Sequence, residues 1–117
     1  MSEFERLWDK TAKFNSDRPQ MPSDTIFHGN KGVEEAHELR RAIKEGCFEE
    51  IVFEASDVLI NWIQTMQSLG ATPVQALGVV FTKLDELEAR YSPDSFNGTN
   101  GLSYEENYRN SKRTATF

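Results

Sequence analysis

A chain of 117 residues, 38% hydrophobic and 27% charged, is long enough for one domain with a modest core and too apolar for wholesale disorder. Its formal net charge of −6 argues against a nucleic-acid partner, because tracking a phosphate backbone needs clustered Lys and Arg; a divalent cation can still bridge acidic groups to a small polyphosphate. No apolar run is long enough for a membrane span, the start MSEFERLWDK has no leader-like stretch, and one cysteine, Cys47, allows no internal disulfide, so a cytoplasmic protein without a membrane partner is expected.

The first helix is predicted over residues 3–14. Ser2 and Glu5 have the spacing of a capping box, and Phe4, Leu7, Trp8 and Ala12 recur at helical intervals. Residues 15–30 contain Pro19, Pro22 and Gly29 and read as a loop. A second helix is expected from Lys31 or Val33 to Glu45, with Ala36, Leu39 and Ile43 as its apolar stripe and Gly46 as its stop. The third runs from Phe48 to Leu69 and ends before Gly70. Thr72 as N-cap and Pro73 in the first turn open a fourth, which continues to Tyr91. From residue 92 onward Ser, Asn and Gly dominate. The segment 92–117 therefore reads as a mostly irregular tail, with Ser103 and Glu106 able to cap a short turn around Tyr104–Tyr108. Nothing has the alternation of a strand, so the class is all-α, with residues 1–91 as the domain.

The third helix carries the most information. It is apolar over much of its circumference, yet Glu54, Asp57, Asn61, Gln64 and Ser68 follow one another at steps of three and four on one narrow stripe. Buried carboxylates need pairing, protonation or a metal. The second helix adds Glu34, Glu35 and Glu38. An antiparallel pair joined by a short turn can bring ExxE at 35–38 opposite ExxD at 54–57. All-carboxylate ligation suits Mg²⁺ or Mn²⁺ better than zinc. Taken by itself, the acidic face of the second helix, close to Arg40, Arg41 and Lys44, can equally be a solvated surface. The residues alone leave both readings open.

The order EExxE at 34–38 and ExxD at 54–57 resembles the signature of MazG-family nucleotide pyrophosphohydrolases, within the all-α NTP pyrophosphatases. Leu39 and Ile43 after the first motif, Val58-Leu59 after the second and the Gly70–Pro73 turn extend the resemblance over residues 25–91. It implies a four-helix bundle-like domain completed by a homodimer or homotetramer. It also implies Mg²⁺-dependent hydrolysis of a nucleoside triphosphate to monophosphate and pyrophosphate. Glu35, Glu38, Glu54 and Asp57 would ligate the metal, and Glu34 would act behind them or orient water. Lys31, Lys83 and Arg90 are candidates for holding phosphates, and Asn61 for contacting base, sugar or a metal-bound water.

Rival readings are a hydrolase of an alarmone such as (p)ppGpp, a non-catalytic helical interaction module, and a di-iron bundle. The last needs a second ExxH beyond Glu34–His37, where the third helix has ExxD. Partner contacts are expected through Trp62, Ile63, Met66 and Leu69, because the third helix has more apolar surface than a short chain easily covers.

Overall fold

The computed structural model describes residues 1–114, and every regular element among them is helical. The helices are α1 (Glu3–Ser16), α2 (Thr25–Glu45), α3 (Phe48–Ser68), α4 (Pro73–Arg90), α5 (Pro93–Phe96) and α6 (Tyr104–Thr114). Two compact units divide the chain within α4, Met1–Ala76 forming the first. The change of composition after Tyr91 therefore does not coincide with the boundary between units.

Local chemistry explains most boundaries. The Ser2–Glu5 capping box is formed, with the Glu5 amide donating to Ser2 Oγ at 3.1 Å. Gly46 ends α2 at φ 78°, a conformation that a side chain would strain. Gly70, at φ 79°, follows α3 in the same way. Thr72 and Gln75 exchange side-chain and backbone bonds at 2.9 and 3.1 Å, which starts α4 just before Pro73.

The second helix begins earlier than its sequence indicates. It starts at Thr25, capped by Asp24, whose carboxylate accepts from the Phe27 amide at 2.8 Å, so the connecting segment is only 17–24. Gly29, one of the loop signals, lies inside this helix.

In the first unit α2 and α3 form an antiparallel hairpin about Gly46–Cys47, and α1 packs on α3. Trp8, Ile63 and Ala76 make the buried core, with Phe4, Leu7, Trp62 and Met66 packed around them. Gln67 Nε2 donates to the Trp8 carbonyl at 2.9 Å and Gln64 Nε2 to Asn15 Oδ1 at 3.0 Å, tying α1 to α3. Ile63 is 0% exposed, which corrects its assignment to a partner surface: it and its neighbours Trp62 and Met66 serve the chain's own core. Leu69 stays exposed.

The tail is also corrected. Far from mostly irregular, it holds α5 and α6 in the second unit, whereas 115–117 lie outside the described residues. Tyr91 meets Phe96 edge-on at 5.0 Å and stacks on Tyr108 at 6.1 Å. Asn100 donates to the Ser95 carbonyl at 3.2 Å and to buried Asn107 at 2.9 Å. The polar residues that resembled loop composition act here as caps and bridges: Ser103 and Glu106 form the reciprocal bonds of a capping box at the start of α6.

Candidate metal centre

The α2–α3 hairpin sets the register of its polar groups. At its open end Thr25 Oγ1 and Ser68 Oγ are 2.8 Å apart. One turn further in, Asn61 Nδ2 donates to the His28 carbonyl at 3.0 Å. A Cβ placed on Gly32 would lie 2.9 Å from Asn61 Oδ1, so the absence of a side chain there leaves room for that amide. Continuing toward the turn, Glu35 and Glu38 of α2 come opposite Asp57 and Glu54 of α3.

These four carboxylates converge. One oxygen from each of Glu35, Glu38, Glu54 and Asp57 lies within 4.8 Å of all the others. The Glu35 side chain is 13% exposed. Oε2 of Glu35 and Oε2 of half-buried Glu54 are shut off from solvent and have no hydrogen-bond partner. Burial raises the Glu35 pKa above its ordinary 4.5, and the charges of Asp57 and Glu38 raise it further. Glu54 is raised by the same causes: desolvation first, then Glu38 and Asp57. Lys31 lies 3.9 Å from Glu35, but its closer partner is Glu34 at 3.0 Å, whose hydrogen bond raises the lysine pKa.

The donor set fits a hard divalent cation. It offers oxygen only, it converges on one point, and two of its buried oxygens lack any donor, a costly arrangement unless a cation or proton intervenes. No histidine joins the group, and His37 is exposed on α2, which leaves a di-iron site without its nitrogen ligands.

Two hollows adjoin the cluster. A cleft of about 290 Å³ near the hairpin turn is lined by Glu38, Glu54, Arg41, Glu45 and Glu50. On the other side a groove of about 580 Å³ runs between α1 and the hairpin. Glu35 and Asp57 form its end, Lys31, Asn61 and Gln64 its polar wall, and Leu7, Phe14 and Ile60 its apolar lining. Its size lies within the roughly 300–1,000 Å³ of small-molecule sites.

The structure therefore brings together the four expected ligands, with Lys31 and Asn61 at the adjoining groove. Glu34 stands outside the four, exposed and paired with Lys31. Lys83 and Arg90 belong to the second unit, where Lys83 lies 3.6 Å from Glu86 and Arg90 stacks over Tyr91 and Tyr108 at 5.0 and 5.3 Å. His28, read as a loop residue, is a buried helix residue with 3% exposure. The contribution of α1 to the groove, through Lys10, Thr11 and Phe14, escaped sequence reasoning. These positions look like an ordinary amphipathic helix, and only packing reveals which hollow they border. Compared with protein-family models, curated proteins and solved structures, the chain matches none.

Proposed function

We propose that this protein is a Mg²⁺-dependent nucleotide pyrophosphohydrolase of the MazG type, converting a (d)NTP and water to a (d)NMP and pyrophosphate in the cytoplasm. The observation that carries the reading is the convergence of four carboxylates, two with buried, partnerless oxygens, at the end of a groove large enough for a nucleotide. Glu35, Glu38, Glu54 and Asp57 would hold Mg²⁺, with Mn²⁺ able to take its place. When bound, the metal supplies charge neutralisation and Lewis-acid polarisation of phosphoryl oxygens.

The remaining roles fall to the chain's own residues. Glu35 borders both cluster and groove, which puts its carboxylate where it can position the attacking water. Glu34 fixes Lys31 through their 3.0 Å contact, so that the ammonium lies at the groove beside Glu35, where a phosphate chain would pass. On this reading Glu34 orients Lys31 in preference to water. Asn61 is poised for base or sugar.

A bundle-like arrangement completed by a second copy, as a dimer or a tetramer of dimers, belongs to the same proposal. Phe53 is 68% exposed, and Val52 and Leu59 on the same helix are also open to solvent. So much exposed apolar surface on one helix fits an intermolecular face.

Pyrophosphate release from each canonical NTP and dNTP, with and without Mg²⁺, tests the activity. Turnover should require the metal and fall to background in Glu38→Gln and Asp57→Asn, with the helical circular dichroism unchanged. Full activity in either variant at saturating Mg²⁺ would refute the ligand assignment.

A further inference from the structure

Phe14 lines the groove beside the carboxylates and is 42% exposed. Among the described residues no aromatic ring packs on it, whereas Phe4 meets Trp8 and Trp62 at 5.9 and 6.4 Å. One side of the Phe14 ring is taken by Arg18, whose guanidinium carbon lies 4.0 Å from the ring centroid. Arg18 Nη1 also donates to the Phe14 carbonyl at 3.1 Å, so two contacts to one residue hold guanidinium and ring together. Arg18 does not line the groove, which places it behind the ring and leaves the groove side of Phe14 open.

The direction of α1 brings this ring toward the carboxylates. Trp8 is tied to Gln67 and Asn15 to Gln64, so α1 runs antiparallel to α3 and its C-terminal end is the one nearer to Asp57. Gln64 lies two turns beyond Asp57 on α3, about 10 Å along a helix. A nucleotide with its phosphates on a metal at the cluster reaches over such a distance through its sugar, and its base then lies among Phe14, Leu7 and Ile60. The polar groups there, the amides of Asn61 and Gln64, can donate as well as accept and so impose no single base. Every base has a π-face, so the contact common to all of them is the one to the ring.

We infer that Phe14, braced by Arg18, is the platform on which the base of the substrate stacks. This rests on the nucleotide reading above and goes beyond it by assigning the base to α1, opposite the hairpin that holds the phosphates. The guanidinium behind the ring offsets the negative charge of its π-face, so a base bearing carbonyl oxygens and ring nitrogens meets less repulsion on the open side. Arg18 is a positioning residue, with no contact of its own to the nucleotide.

Two measurements on the full-length protein test it. In the first, 2-aminopurine ribonucleoside 5′-monophosphate is titrated with protein in Mg²⁺; stacking on an aromatic ring quenches its fluorescence. The unaltered chain and Phe14→Tyr should quench the probe. Phe14→Leu, which keeps an apolar side chain, should bind it about tenfold more weakly and leave it bright, with Arg18→Gln in between. The second is the steady-state kinetics of ATP and CTP, where Phe14→Leu should raise KM by about tenfold and leave kcat within about threefold. Rescue by Tyr and the fluorescence signal separate stacking from a general effect on folding, and helical circular dichroism should be unchanged throughout. If Phe14→Leu loses its helical signal, exposed Arg18 carries the test, and equal affinity of Arg18→Gln and the unaltered chain would overturn the inference. Unchanged quenching and KM in a folded Phe14→Leu would overturn it too and leave the pyrophosphohydrolase reading intact. Preserved quenching together with a lower oligomeric mass would assign Phe14 to a second copy instead. Quenching that depends on Phe14, without turnover of any NTP, would overturn the activity and keep the platform; absence of both quenching and turnover would overturn both.

Discussion

At Glu35 and Glu54, the buried oxygens face other carboxylates where donors would ordinarily stand. Both pKa values are raised, so in metal-free protein the folded state holds protons that the unfolded chain has already released. The resulting relief is complete below the ordinary 4.5 and is lost as pH rises through the raised values. Glu106 acts in the opposite sense: hydrogen bonds from Ser103 lower its pKa, and its contribution disappears as pH falls. The gain in Tm on adding Mg²⁺, more than the bare Tm, therefore reads the cluster. That gain should be larger at pH 8 than at pH 5 in scanning fluorimetry with EDTA as reference. An equal gain at both values would argue against a cation among these carboxylates. In EDTA at pH 8, Glu35→Gln should raise Tm by about 2–5 °C, because it removes an uncompensated charge. The same substitution should abolish turnover.

At the scale of the element, α2 contains two glycines whose substitutions should behave differently. Gly29 has open space where a Cβ would go, and its φ is not positive. Gly29→Ala should stabilise the protein by about 0.5–1 kcal/mol through helix propensity alone. At Gly32 the same gain is opposed, because the added methyl displaces the Asn61 amide and strains its bond to His28. A bond of this kind contributes about 1 kcal/mol, so Gly32→Ala should be neutral or destabilising. Urea denaturation of the two variants compares them directly. Stabilisation by both would mean that Asn61 can move away from α2 at little cost, and would weaken its place in the groove wall.

For the whole molecule, the exposed apolar residues of α3 set the expectation. Light scattering coupled to gel filtration should give at least twice the 13.4 kDa mass of one chain. Phe53→Glu should shift the population toward monomer, since a charge there cannot be desolvated cheaply. A monomeric mass for the unaltered protein at micromolar concentration would remove the second copy from the proposal. The second unit makes a separate contribution: its ring cluster and the Asn100 bridges give residues that resemble linker in composition a fixed set of partners.

Much of this protein is determined by local chemistry and is legible from the chain alone. The Ser2–Glu5 box, the stops at Gly46 and Gly70 and the start of α4 at Thr72–Pro73 depend on groups a few residues apart, so sequence spacing suffices. The carboxylate quartet was readable for a related reason: three-residue spacing fixes a helix face, and a short turn fixes the antiparallel register. The true start of α2 was hidden because Gly29 favours a loop locally, while the bonds that tie the first turns of α2 to α3, between Thr25 and Ser68 and from Asn61 to His28, come from far along the chain. The same holds for Ile63, whose apolar character is visible but whose choice between core and partner surface depends on where α1 lands. Likewise no pattern in α1 announces that Thr11 borders the groove that ends at Glu35 and Asp57. Periodicity decides which face of a helix is apolar or charged; only tertiary packing decides which hollow that face lines, because that depends on contacts between distant segments.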